Sequence, residues 1–333
     1  MKQIKDLQGE DAVGRIRQPF LIKSCEEGAT NTSGALYLNI TLADATGTME
    51  ARKWDMKKGD REIFVPNTVV EIDGSIINYR GKNQIKINSG TKLDQSTIDR
   101  SLYVPHAPVS VPDMKGELRD LVNSIQDEQI RELTQAIIND TWPQYSTHPA
   151  AVTVHQAYES GLLFHSISVC KVALAIADLY PGTFHRDYLI CGCLLHDIGK
   201  TWELSGPVST KYTRIGKLEG HINIGAILIN NKCHELGLDE EKTELLTHIL
   251  FSHHGLPEYG SPVVPKTADA FLVHLADDCD AKVNVIQNYL KTVRPGEFTA
   301  RIPWMDNIEL YRPTFDRDGD APETLEVPEK AQK

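Results

Sequence analysis

The sequence predicts a multi-domain β + α chain: a small all-β barrel first, then an all-α domain. Three observations carry this reading. Apolar and polar residues alternate with period two only in the first 95 residues. Apolar residues recur at three- and four-residue spacing from Pro112 to about Leu290. The histidines are segregated: none lies in residues 1–95, and eleven of the twelve fall between His148 and His274. Charge divides the same way. Residues 1–95 carry 14 Lys/Arg against 13 Asp/Glu, and the rest carries 21 against 33, so a near-neutral part is joined to an acidic one.

The elements follow in order. "ALYLNITLAD" alternates and ends in the turn signal "DATG", and "TMEARKWD" returns as its hairpin partner. "TVVEIDGSIINYRGKNQIKI" holds two more strands around "YRGKNQ". With the segment from Asp11 to Lys23 this makes five short strands, the number in a small five-stranded barrel, although other small all-β domains share it. Residues 96–110, "STIDRSLYVPHAPVS", read as a linker. "GELRDLVNSIQDEQIRELTQAIIND" is helical, and so is nearly everything to Leu290 except a Gly- and Thr-rich excursion at 205–220. The charged tail "PTFDRDGDAPETLEVPEKAQK" is expected to be disordered. The expected division is therefore a barrel at 1–95, a linker and helical segment at 96–145, a helical domain at 146–312 and a tail at 313–333.

No apolar stretch is expected to reach the roughly 20 residues that cross a bilayer. The polar start "MKQIKDLQGED" lacks the core of a secretory signal. A membrane is thus not expected as a partner. Cys25, Cys170, Cys191, Cys193, Cys233 and Cys279 show no disulfide-framework spacing, which suits reduced thiols in a cytoplasmic protein.

The chemistry starts at "CGCLLHDIGK", where His196 and Asp197 end an apolar run. An unpaired polar group buried there would cost on the order of 2–7 kcal/mol. The pattern recurs: His165 in "GLLFHSISVCKVALAIA", His221 after Gly220 in "GHINIGAILI", His253 and His254 in "LLTHILFSHHG", and Asp277 in "FLVHLADDCDAK". One buried histidine is usually a satisfied core residue. Five helices repeating the pattern point to a shared centre, a divalent-metal site of mixed nitrogen and oxygen ligands. Adjacent helical residues differ by about 100°, so His196 and Asp197 can both reach a metal over the helix end, and Asp197 can bridge to a second. Such a donor set suits manganese, iron or zinc better than a pure oxygen cage would. Lys200 lies on about the same face as Asp197, either to hold a phosphate oxygen or to pair with Asp197 or Glu203.

The order H…HD…H…HH…D, from Ala150 to Lys282, resembles the HD superfamily of metal-dependent phosphohydrolases. With the barrel segment "YLNITLADATGTMEARKWD" and with "GLLFHS", "LLHDIGK", "YT…GKLEGH", "SHHG" and "HLADDCDAK", nearly the whole chain resembles the YhaM-type exoribonucleases. That resemblance implies an OB-type barrel joined to an HD-type helical domain. It implies a hydrolase that degrades single-stranded RNA from the 3′ end, releasing nucleoside 5′-monophosphates, with single-stranded DNA as a further substrate to consider. It implies two divalent ions, Mn2+ first, with Fe2+, Co2+ or Zn2+ compatible. By resemblance His165, His196, Asp197 and Asp277 hold the first ion, and Asp197, His221, His253 and His254 the second; Asp197 and Lys200 serve catalysis. Asp278 and Asp280 compete with Asp277, which falls in the "AD" of the pattern.

An OB-type barrel binds single strands with basic residues and stacking aromatics. The candidates are Tyr37, Arg52, Lys53, Trp54, Tyr79, Arg80, Lys82 and Lys86, with Trp54 either a stacking platform or core. Rival readings are a nucleotide phosphohydrolase, a cyclic-dinucleotide phosphodiesterase and a non-enzymatic single-strand-binding regulator. The second would carry "GYP" after the paired histidines, where this chain has "HHGLPEYGSPVVP". A homo-oligomer is compatible with all of these.

Overall fold

The computed structural model describes residues 2–315, apart from 10–11, 31–33, 153–155, 157 and 209. Residues 316–333, most of the tail expected to be disordered, lie outside the described residues. The first part is a closed barrel of β1 (Gly14–Ala29), β2 (Leu36–Asp44), β3 (Gly47–Lys53), β4 (Val69–Tyr79) and β5 (Lys82–Lys92), in the order β1-β2-β3-β5-β4. Period-two patterning builds it. Leu38, Ile40 and Leu42 of β2 and Met49 and Ala51 of β3 are buried in its core, and their neighbours face outward. A parallel pairing of β3 with β5, Ala51 opposite Ile85 and Arg52 opposite Lys86, closes the barrel; the other pairs are antiparallel. Two short helices accompany it, α1 (Ile4–Leu7) and α2 (Asp60–Ile63). Ile4 and Leu7 of α1 join the barrel core, an element that alternation does not reveal.

Residues 96–110 are not a free linker. Two turns of 3₁₀-helix lead to Tyr103 and Val104, which are buried against Leu21, Ala43 and Val69 of the barrel wall. The helices are α3 (Val111–Asn123), α4 (Glu128–Tyr145), α5 (Gly161–Leu179), α6 (Arg186–Leu195), α7 (Lys200–Glu203), α8 (Arg214–Leu236), α9 (Glu240–Ser252) and α10 (Ala268–Leu290). Every residue of α6 from Leu189 to Leu195 is buried. Each buried leucine or isoleucine contributes about 1.5–3 kcal/mol, so this helix is held firmly and its end is fixed.

One expectation is overturned. The 19-residue helix Gly161–Leu179, with a mean hydropathy of 1.7, is long and apolar enough to cross a bilayer. In the fold it is a core helix, with Leu162, Leu163, Val169, Cys170 and Ala173 buried among the other helices. His165 and Lys171 interrupt its apolar run in the sequence.

The barrel and the helices through Asp277 form one compact unit, and Asp278–Lys333 a second. In the second, antiparallel bridges join Phe298 to Tyr311 and Ile302 to Ile308.

Candidate metal centre and nucleic-acid face

Three helices and the ends of two others bring the seven expected ligands together. His196 caps the C-terminus of α6, and Asp197 follows it. His165 projects from α5 and is fully buried, like His196 and His253; Asp197 is 2 % exposed. His253 caps the end of α9, with His254 next, and Asp277 lies on α10. His221 is aimed by a break in α8: Gly220, at φ 72° and ψ 154°, leaves the helical region, and His221 starts the segment after it.

Asp197 divides the cluster. Its Oδ2 lies 3.6 Å from His165 Nε2 and 3.4 Å from His196 Nε2. Its Oδ1 lies 3.4 Å from His221 Nε2 and 3.7 Å from His253 Nε2. Asp277 joins the first group, with Oδ1 at 3.1 Å from His165 Nε2 and 3.8 Å from His196 Nε2. His254 joins the second, its ring centroid 4.4 Å from that of His253 and 5.2 Å from that of His221. Two sets of donor atoms within metal-sharing distance result: His165, His196 and Asp197, and His221, His253 and His254.

The outer nitrogens are held by acceptors. Nδ1 of His196 donates to the Cys193 carbonyl at 2.8 Å, Nδ1 of His253 to Leu250 at 2.7 Å and Nδ1 of His254 to Tyr259 at 2.9 Å. Nδ1 of His221 donates to Glu203 Oε1 at 3.2 Å. A carbonyl or carboxylate oxygen only accepts, so these rings carry their proton on Nδ1 and turn an Nε2 lone pair inward. Burial, and for His254 also the neighbouring His253, lowers the pKa of His253 and His254 and favours the neutral ligating form. Burial alone would raise the Asp197 pKa, but Lys200 and the surrounding imidazoles hold it well below the carboxylate range.

The donors fit a cation. Asp197 Oδ1, His221 Nε2 and His253 Nε2 are buried without a hydrogen-bond partner among the described residues. Each unmet group costs about 1–3 kcal/mol, and all three are acceptors pointing at one another. A divalent ion there would satisfy them together. Lys200 Nζ lies 2.6 Å from Asp197 Oδ2, so of its two possible pairings the one with Asp197 is formed. Burial alone would lower the Lys200 pKa, but the Asp197 charge more than offsets it and keeps the ammonium charged.

On the barrel, Tyr37 of β2 and Trp54 after β3 meet at 4.8 Å between ring centroids. The Arg52 guanidinium sits 6.0 Å from the Tyr37 ring centroid, 5.6 Å from that of Trp54 and 5.7 Å from that of Tyr79. Arg80 lies 5.3 Å from the Tyr79 ring centroid, while Lys82 and Lys86 are exposed. Trp54 is half-buried in this outer cluster rather than part of the barrel core. Lys53 must be corrected. It is 5 % exposed, its ammonium donates to the Trp54 carbonyl at 3.0 Å, and Asp60 lies 3.9 Å away, so it cannot reach a phosphate. Its strand position already places it on the inward side with Met49 and Ala51.

The HD domain family matches residues 162–282, which contain every residue of the cluster described above. The 3′-5′ exoribonuclease YhaM of Listeria welshimeri is 38% identical over 307 residues, covering 91% of this chain and 97% of that protein. This chain belongs to the YhaM exoribonuclease family. The YhaM proteins of Bacillus subtilis and Bacillus pumilus are each 36% identical, over 90% and 93% of this chain and 96% and 99% of theirs.

This YhaM-family site also uses residues beyond the expected ligands. Glu203 accepts from both Nδ1 and the backbone N–H of His221, at 3.2 and 3.1 Å. His274 donates from Nδ1 to the His253 carbonyl at 2.8 Å. Tyr145, fully buried, donates to the carbonyl of Leu194, two residues before His196. Gly199 packs so tightly on the His221 carbonyl that any side chain would overlap it. Gly199 stands in "HDIGK" and Gly220 directly before His221, so the motif spelling held this signal.

Proposed function

We propose that this protein is a metal-dependent 3′-5′ exoribonuclease that releases nucleoside 5′-monophosphates from single-stranded RNA with a pair of divalent ions, manganese first. Single-stranded DNA is a second substrate to test, and the cytoplasm, where six unpaired cysteines remain thiols, is its proposed location. The observation that carries the two-ion reading is Asp197, whose two carboxylate oxygens face separate groups of imidazoles. When bound, such ions supply an activated water and neutralise charge on the phosphodiester.

The chain's own residues set the conditions. His165, His196, Asp197 and Asp277 would hold one ion, and Asp197, His221, His253 and His254 the other. Carbonyls and Glu203 keep the rings in the ligating tautomer. Lys200, charged and largely buried, holds Asp197 as a carboxylate, and its ammonium would be the group to meet a phosphate oxygen beside Asp197. Tyr37, Arg52, Trp54 and Tyr79 offer bases a stacking surface, and Arg80, Lys82 and Lys86 offer phosphates positive charge. A catalyst of nucleoside triphosphate hydrolysis would leave that face unused.

The test is incubation of the protein and manganese with 5′-labelled single-stranded RNA, nucleoside triphosphates and cyclic dinucleotides in parallel. Stepwise shortening of the RNA with release of 5′-monophosphates supports the proposal. Turnover of only the small nucleotides refutes it. Chelation should stop the reaction, and manganese should restore it better than calcium, because imidazole-rich sites favour borderline ions.

A further inference from the structure

A second cleft lies where the barrel meets the loop between α7 and α8. It has a volume of about 310 Å³ and an apolar floor that includes Leu21, Ala43, Tyr103 and Val104. Small-molecule sites run from roughly 300 to 1,000 Å³, so it is the size of a single small ligand. Two lysines stand among its lining residues: Lys23 from β1 and Lys211 from the loop. Both are exposed, and neither pairs with a carboxylate among the described residues. Apolar floor and free ammonium groups together suit a base and its phosphate.

The position of the cleft says which nucleotide would occupy it. Thr48 lines both this cleft and a larger one of about 780 Å³ walled by Tyr79, Arg80 and Lys82. The two therefore adjoin at Thr48, the second residue of β3. On the far side, Lys211 belongs to a short antiparallel loop in which Leu204 bridges Tyr212 and Thr213 donates to the Glu203 carbonyl at 2.8 Å. Glu203 is the residue that orients His221. The cleft thus lies between the barrel and the loop that packs on Glu203, and a strand crossing from the aromatic face to the metal centre by this side would pass Lys23 and Lys211.

We propose that this cleft binds one nucleotide unit of the RNA strand as it passes from barrel to active site, with Lys23 and Lys211 on its phosphates. The idea rests on the proposed ribonuclease activity for its meaning but is tested by binding. The full-length, manganese-loaded protein would be titrated with a fluorescent single-stranded RNA carrying hydrolysis-resistant phosphorothioate linkages. Lys23→Ala/Lys211→Ala should weaken binding roughly tenfold and make the salt slope shallower by about 1.4, since each single-strand phosphate contact contributes about 0.7. Lys23→Arg/Lys211→Arg should restore both. Hydrolysis of bis(p-nitrophenyl) phosphate and the bound manganese should not change, because neither lysine touches the centre. A free-nucleotide arm uses AMP. Loss of AMP binding in the Ala variant with RNA binding intact would mean that the cleft serves free nucleotides, and would overturn the strand assignment. RNA affinity and salt slope equal to wild type would overturn it as well. Lysine-dependent RNA binding without any RNA hydrolysis would uphold the cleft while refuting the ribonuclease reading.

Discussion

An aspartate with one oxygen toward His165 and His196 and the other toward His221 and His253 would join the two cations of the proposed centre, and its removal would separate them. Asp197→Ala should therefore reduce RNA hydrolysis to below a tenth of wild type, a barrier increase of more than ~1.4 kcal/mol, and should lower the bound manganese. Rates and metal content measured on the same folded sample check this; near-normal turnover would remove the bridging role. On the barrel, Trp54→Ala should weaken RNA binding by about 1–3 kcal/mol, or roughly 5- to 150-fold, with little change in melting temperature. Lys53→Ala should do the reverse, because it breaks the buried contact with Asp60 and the Trp54 carbonyl rather than a phosphate contact. Titration and thermal melting of both variants separate the two roles. The clustered imidazoles and carboxylates are legible as candidate ligands because such a group in an apolar helix is costly unless something positive meets it. Neighbourhood in "ARKW" does not separate Lys53 from Arg52; strand alternation does, sending Arg52 out and Lys53 in.

At the scale of elements, helix ends do the aiming. α6 is buried along its last seven residues and so delivers His196 and Asp197 to one place. α8 delivers His221 only because it breaks. The sequence suggested a helix starting near Gly220; instead the helix begins at Arg214, with Thr213 as its cap, and Gly220 interrupts it. Gly220→Ala would meet no atom within 4 Å, so its cost is conformational, about 1–3 kcal/mol. The expected outcome is a folded protein with weakened binding of one of two manganese ions, read by calorimetric metal titration. α4 allows a pH test remote from the metals. Asp127 accepts from Lys242 and caps the N–H groups of Gln129 and Ile130, and these contacts hold its pKa below the ordinary value. A lowered folded-state pKa stabilises the fold above the unfolded value of about 3.9 and loses that contribution as pH falls through the folded value. Asp127→Ala should thus cost about 0.5–2 kcal/mol at neutral pH, and the gap should close in acid. Melting curves at the two pH values decide it.

At the scale of the molecule, the barrel and the helical region through Asp277 are one compact unit rather than two beads on a linker. Patterning revealed both halves and most strand and helix positions, since period and burial are local properties. It did not reveal their union. The seam depends on Tyr103 and Val104, which only the folded chain brings against Leu21, Ala43 and Val69, and nothing in "SLYVPHAP" announces that contact. The same limit explains the α5 helix. Whether Gly161–Leu179 faces lipid or core is decided by its packing partners, not by its hydropathy. The proposed centre that both halves serve holds two ions across Asp197. The measurement that tests this most directly is a crystal structure of the protein grown with manganese, with anomalous scattering recorded at the manganese edge. Two peaks are expected on either side of the Asp197 carboxylate, one among His165, His196 and Asp277 and the other among His221, His253 and His254. A single peak, or peaks that leave Asp197 on one side, would contradict it.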